Sequence, residues 1–134
     1  MTRTGGCKCG AVRYTISAEP VTARLCWCRD CQYWATGNAA VNIVVPRAAM
    51  AVEGDLRTWD SLADSGRHMR RSFCGTCGTQ VFSEARENAD AMVVRVGTLD
   101  AAGDIRPESV IWTESAPPWA SIDPALKAFP RQPT

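Results

Sequence analysis

Apolar and polar positions alternate over short runs in this chain, and glycine, proline, asparagine or aspartate separates the runs. Residues 11–17 put Val12, Tyr14 and Ile16 on one face and Arg13, Thr15 and Ser17 on the other, the period of a half-buried strand that Pro20 ends. Residues 39–45 read as a strand, stopped by Pro46. Residues 50–53 and 56–59 flank Gly54-Asp55 and read as a hairpin, with a polar loop over 60–66. Strands follow at 68–73, 79–83, 91–96 and 109–113, with a loop over 100–104. One short helical turn is expected at 30–36, before the Gly37-Asn38 turn signal. Short strands at close spacing make an all-β domain.

From residue 107 onward the pattern changes, because six of the eight prolines lie there. An extended tail over about 107–134 is expected, anchored by Trp119, Ile122, Leu126 and Phe129, with one helical turn at 123–127 behind Pro124. At 134 residues the chain fits a single domain spanning 1–134. A core of that size buries roughly two-thirds of the unfolded surface, so folding does not depend on metal alone. Net charge is +1, which argues against a nucleic-acid partner or a membrane-surface patch. Residues 1–6 carry no apolar signal segment, and no apolar run approaches membrane-span length. A cytoplasmic, reducing location is expected, where seven cysteines are ligands rather than disulfides.

The cysteines fall into three groups. Cys7-Lys8-Cys9 precedes Gly10, and Cys74-Gly75-Thr76-Cys77 precedes Gly78. Each pair reads as a metal knuckle, in which glycine permits the positive φ that turns backbone amides toward the thiolates. Four thiolates around one Zn²⁺ form a closed, structural shell. Cys26-Trp27-Cys28-Arg29-Asp30-Cys31 differs: it holds no glycine and offers three ligands with no fourth cysteine left. Three protein ligands and one vacant position is the pattern of a catalytic zinc. Three thiolates lower its Lewis acidity, so the site suits a soft incoming thiolate rather than an acidified water. Cys26, Cys28 and Cys31 are therefore both candidate ligands and candidate catalytic residues.

Other readings stand beside these. His68, Asp30 or another carboxylate could close the central group into a second structural zinc. The usual four-cysteine spacings of an iron–sulfur cluster are absent. His68, the only histidine, reads as an ordinary strand residue. Arg67, Arg70 and Arg71 read as a solvated face, and Trp34, Trp59 and Trp112 as core. Trp27 is the tryptophan expected to line a pocket, and Arg29 or Arg24 the residue to bind a substrate carboxylate.

The motifs Gly6-Cys7-x-Cys9-Gly10-x-Val12-Arg13-Tyr14, Cys26-x-Cys28-x-x-Cys31 and Arg71-x-Phe73-Cys74-x-x-Cys77-Gly78 resemble the glutathione-dependent formaldehyde-activating enzyme family, also called the centromere protein V family. The resemblance covers nearly the whole chain, including the Gly54 turn, Ile111-Trp112 and Trp119. It implies a β-tent fold of antiparallel sheets clamped by zinc, and two zinc ions per chain. Cys7, Cys9, Cys74 and Cys77 match the structural ligands, and Cys26, Cys28 and Cys31 the site near which glutathione binds. The implied activity is condensation of formaldehyde with glutathione, a carbon–sulfur lyase reaction. Two positions depart from the pattern: Trp27 and Val110 stand where relatives usually carry histidine. The expectation is a zinc-dependent carbon–sulfur lyase acting on a small thiol adduct. The alternatives are a non-enzymatic zinc module that binds protein or nucleic acid, and a redox or metal sensor.

Overall fold

The structure, a computed structural model, describes residues 2–133. Two sheets carry it. Strands β1 (Arg3–Gly6), β2 (Val12–Ile16) and β5 (Met50–Gly54) make a three-stranded antiparallel sheet in the order β1-β2-β5. The larger sheet adds β3 (Thr22–Cys26), β4 (Ala40–Pro46), β6 (Leu56–Leu62), β7 (His68–Cys74), β8 (Gln80–Ala85), β9 (Ala91–Arg95), β10 (Ser109–Ile111) and β11 (Lys127–Ala128). Its order is β11-β10-β3-β4-β9-β8-β7-β6. The helix α1 (Arg29–Trp34) is short. The all-β class expected from the sequence is what forms, although β10 pairs in parallel with both β3 and β11.

The alternation along each strand decides what lies on each face of the large sheet. Ile43, Val45, Val94, Val81 and Phe82 pack with Val12, Tyr14 and Ile16 of β2, so this apolar cluster glues the two sheets together. Tyr14 meets Phe82 edge-on at 5.4 Å, and its hydroxyl pairs with Thr98 Oγ1 at 2.7 Å. A second cluster gathers Trp27, Val110, Ile111 and Trp112 with Ile122, Leu126 and Phe129. These tail residues serve as the anchors that the sequence suggests. Trp119 is 67% exposed but still meets Trp27 edge-on at 6.4 Å.

Several local expectations are corrected. Residues 50–53 and 56–59 do not form a hairpin: β5 pairs with β2, and β6 with β7, so Gly54-Asp55 passes the chain from one sheet to the other. Residues 60–62 belong to β6, where Asp60 faces Arg70, and only the stretch after Leu62 is a loop. Residues 123–127 make a non-helical turn, Leu126 N–H donating to Asp123 at 3.2 Å, before β11. The last strand ends at Ile111, because Trp112 adopts a left-handed φ of 59°. Trp59 is 54% exposed rather than core.

Ion pairs tie the small sheet to the loop after β9. Arg3 grips Asp104, and Arg13 grips Asp100, which also accepts from Thr4 Oγ1 at 2.7 Å. The Arg13 guanidinium and then the Thr4 hydroxyl hold the Asp100 carboxyl down at about 2, from a model-peptide value of 3.8. A depressed carboxyl stabilises the fold above its unfolded pKa and loses that contribution as pH falls through the folded one. Asp100→Asn is therefore expected to flatten the decline of the melting temperature between about pH 4 and pH 2, followed by circular dichroism. An unchanged acid slope would refute this.

Candidate metal centres and the adjoining cleft

The β1–β2 turn carries Cys7 and Cys9, and the β7–β8 turn carries Cys74 and Cys77. Gly10 (φ 86°) and Gly78 (φ 79°) supply the left-handed backbone each knuckle needs. The turns meet so that all four sulfurs lie within 4.8 Å of one another. The Cys7–Cys9 and Cys9–Cys74 separations are 3.6 and 3.8 Å. A tetrahedron of sulfurs about 2.3 Å from Zn²⁺ has edges of about 3.8 Å, so the arrangement fits that ion. Val12 N–H donates to Cys7 Sγ at 3.2 Å, and the Thr76 and Cys77 amides donate to Cys74 Sγ at 3.3 and 3.4 Å. Such amides stabilise thiolates over thiols. Thr79 does the same for Cys77, whose thiol is held down at about 5 by the hydroxyl and then by the Thr79 amide. Cys7 and Cys74 are buried, while Cys9 and Cys77 reach the surface.

The central triplet sits 19 residues after the first knuckle in sequence but on the other side of the large sheet. Cys26 ends β3, Cys28 caps α1, and Cys31 lies in its first turn. Trp27 N–H donates to Ile111 at 3.0 Å, and Gln32 Nε2 donates to the carbonyls of Trp27 and Ser115 at 2.7 and 3.0 Å. These bonds fix the loop so that the three sulfurs lie within 4.8 Å of one another. Among the described residues no carboxylate or imidazole joins them as a fourth ligand. His68 pairs with Glu87 at 2.7 Å on the surface, and Asp30 turns to Arg71 at 3.4 Å.

Three thiols at this spacing share one ionisation. Cys26 is pushed up by its hydrogen bonds to Cys28 and Cys31 and by burial. Cys31 is held down at about 2 because Cys26 and Cys28 donate to it, with Arg95 adding positive charge. A divalent cation would displace the two remaining protons, so this donor set fits a thiophilic metal.

A cavity of about 250 Å³ opens on the triplet. Its floor is the face of the large sheet opposite the apolar core, because residues of one parity from β3, β4, β7, β8 and β9 point into it. Arg24 and Cys26 come from β3, Asn42 from β4, Arg71 from β7 and Arg95 from β9. In register, Arg24, Asn42 and Arg95 lie in one row across three strands. Arg95 Nη1 donates to Asn42 Oδ1 at 2.7 Å and lies 4.0 Å from Cys31 Sγ. Arg67 stands on the rim.

Two expected substrate contacts lie outside this space. Trp27 is only 2% exposed and packs against Trp119, while Trp112 lines the cleft instead. Arg29 is exposed, donates to Gln32 at 2.6 Å and covers the ring of Tyr33. Val110 is fully buried beside Trp27, so both positions that depart from the family's histidines belong to apolar packing. Arg71 is buried rather than solvated, 4% exposed and lying 4.6 Å over Trp34. The sequence reading omits Arg95 and puts Arg71 on a solvated face. The parity of Arg24 with Cys26, and of Arg67 with Arg71, was the signal that could have placed arginines on the cysteines' face.

The chain is similar to a crystal structure of a Rhodobacter sphaeroides protein solved as a structural genomics target. The TM-score is 0.59 at 23% identity, over 76% of this chain and 96% of that one, which is likeness of fold. Comparison with curated proteins found none that matches. The model of one family, the glutathione-dependent formaldehyde-activating enzymes, matches residues 2–115 and so takes in all seven cysteines and the cleft floor. The chain belongs to the glutathione-dependent formaldehyde-activating enzyme family.

Proposed function

We propose that this chain is a zinc-dependent enzyme of the carbon–sulfur lyase class, acting on a small adduct of a thiol and an aldehyde, with glutathione and formaldehyde the pair its family suggests. One observation carries the reading. Three sulfurs converge at a cleft with no fourth side-chain ligand among the described residues, whereas the other four close on themselves. Cys7, Cys9, Cys74 and Cys77 would hold a structural zinc, and Cys26, Cys28 and Cys31 a second with a position left open. Bound there, zinc supplies charge stabilisation for a soft thiolate.

The protein supplies the surroundings. Arg95 offsets the negative charge gathered on the three thiolates. Ile111 and Trp112 give the cleft an apolar wall against which a small substrate is positioned. In adduct formation the sulfur electron pair makes the carbon–sulfur bond and the carbonyl π pair moves to oxygen. The proton lost by the thiol ends on that oxygen, and cleavage is the reverse. The single histidine is paired with Glu87 away from the cleft, so no imidazole carries this proton. A reducing compartment such as the cytosol suits seven free thiols. A purely structural zinc module needs no cleft beside its metal, which favours the enzymatic reading.

Zinc analysis of wild type and Cys28→Ser tests the proposal. Wild type is expected to hold two zinc ions per chain and the variant about one, with an unchanged circular dichroism spectrum and lost thiol binding. One zinc in both proteins would mean that the central thiols work without metal, and the reading would fall.

A further inference from the structure

Four arginines reach the cleft, and their partners are unequal. Arg71 uses its two terminal nitrogens on Ser61 at 2.9 Å and Asp30 at 3.4 Å, while its Nε is buried with no hydrogen-bond partner. Arg95 is committed to Asn42 and faces Cys31. Arg24 and Arg67 form no ion pair with any carboxylate among the described residues, and the Nε of Arg24 is also buried and unpartnered. Two acidic groups border the space: Asp30 is taken by Arg71, and Asp64 is exposed on the rim. Buried guanidinium N–H groups without acceptors are expensive to maintain unless an anion receives them. A planar carboxylate matches the guanidinium fork.

We propose that Arg24 and Arg67 form a carboxylate-binding subsite that selects which adducts reach the cysteines. The ligand class is a small adduct carrying a carboxylate close to its sulfur. Arg24 and Cys26 are two residues apart on one face of β3, their backbone positions about 7 Å apart, so a carboxylate met by Arg24 lies close to a sulfur held at the triplet. Arg67 lines the cleft with Arg24, so both guanidiniums are available to one carboxylate while the sulfur points at the triplet. This inference rests on the proposed thiol chemistry but concerns a different part of the cleft.

The test is calorimetric titration of the full chain as purified, with zinc content measured alongside. 3-Mercaptopropionate and 2-mercaptoethanol differ in the carboxylate, propionate lacks the thiol, and glyoxylate carries the carboxylate on the aldehyde. Wild type is expected to bind 3-mercaptopropionate at least tenfold more tightly than 2-mercaptoethanol. Arg24→Gln and Arg67→Gln should each remove most of that preference, leaving 2-mercaptoethanol binding and zinc content unchanged. Arg67 lies on the rim, so its variant keeps the test valid if Arg24→Gln disturbs the fold. A preference for glyoxylate over 3-mercaptopropionate that depends on both arginines would support the subsite and assign the carboxylate to the aldehyde. Equal binding of charged and neutral thiols, or a preference that survives both substitutions, would overturn the subsite and leave the thiol reading standing. Arginine-dependent binding of propionate or glyoxylate with no thiol binding would do the opposite.

Discussion

Cys74→Ser is expected to unfold the protein or lower its melting temperature far more than any change at the central triplet. Cys74 is the most enclosed of the four outer cysteines, 1% exposed, and two backbone amides converge on its sulfur. It ends β7 of the large sheet, while its partners Cys7 and Cys9 lie in the β1–β2 turn of the small one. A metal held by this group therefore cross-links two sheets through residues 65 positions apart. Removing one ligand leaves three thiolates crowded without their full counter-charge, and lost metal sites belong to the class of substitutions that cost more than about 4 kcal/mol. Against an ordinary stability of about 5–15 kcal/mol that is most of the fold. Zinc content, melting temperature and soluble yield would be compared for Cys74→Ser and Cys28→Ser. A steep loss of melting temperature and yield in the first is expected, with near-native melting temperature and yield and about one zinc ion per chain in the second. Equal losses would mean that the two groups do not divide into staple and site.

The gathering of the cysteines into a group of four and a group of three was legible in the sequence because it depends on spacing and glycine alone. Cys7-x-Cys9-Gly10 and Cys74-x-x-Cys77-Gly78 announce knuckles, and the glycine-free triplet announces something else. β2, with its clean apolar alternation, and β4 and β9, as short and mostly apolar runs, were legible for the same local reason. Three kinds of feature were not. β1 reads Arg-Thr-Gly-Gly, with no apolar side chain to mark a face; Tyr14 and Thr98 crowd Gly5, and the Val12 carbonyl crowds Gly6, so neither position has room for a Cβ. β3 has one face given to the cleft, where Thr22, Arg24 and Cys26 replace the apolar residues that alternation looks for. The false hairpin at Gly54 is the third. Period-two pattern and a turn dipeptide say that two strands are near in sequence, but not that each has a better partner elsewhere. Pairing is settled by which edges are free, and the edges of β2 and β7 took β5 and β6.

The same cause explains why the site was half read. Ligands declare themselves by local spacing, whereas cleft walls are assembled across strands. Trp27 is beside the ligands in sequence, yet strand and helix geometry send it into the cluster with Trp119. Trp112 is 81 residues from Cys31 and reaches the cleft because β10 lies in parallel beside β3, with Ile111 opposite Cys26. Its left-handed backbone is held by the tail: Gln132 accepts from its indole N–H at 3.0 Å, and Thr113 N–H donates to Phe129 at 3.1 Å.

Gly54→Ala is expected to be strongly destabilising although it replaces no residue of either cysteine group. Gly54 has φ of 113°, which L side chains rarely adopt, and it ends β5 exactly where the chain crosses to β6. A Cβ there would be driven into the Ala11 carbonyl and would lie 2.8 Å from Val12 Cα. Both are backbone atoms and cannot rotate aside. The strained φ costs about 1–3 kcal/mol by itself, and separating β5 from β2 adds to it. The separation would also reach the metal group, because Val12 N–H bonds Cys7 Sγ and Cys7 N–H bonds the Val12 carbonyl. A loss of at least about 3 kcal/mol corresponds to a fall of about 10 °C or more in melting temperature for a chain of this size. Gly66→Ala is the matched control, since Gly66 has φ of 87° but open space around its Cβ position. It isolates backbone strain from collision. Gly54→Ala should lose several-fold more stability than Gly66→Ala and release zinc to a chelator faster, whereas the control should release it at the wild-type rate. Equal destabilisation by the two substitutions would show that φ strain alone matters and that the crossing at Gly54 does not hold the metal knuckle in place.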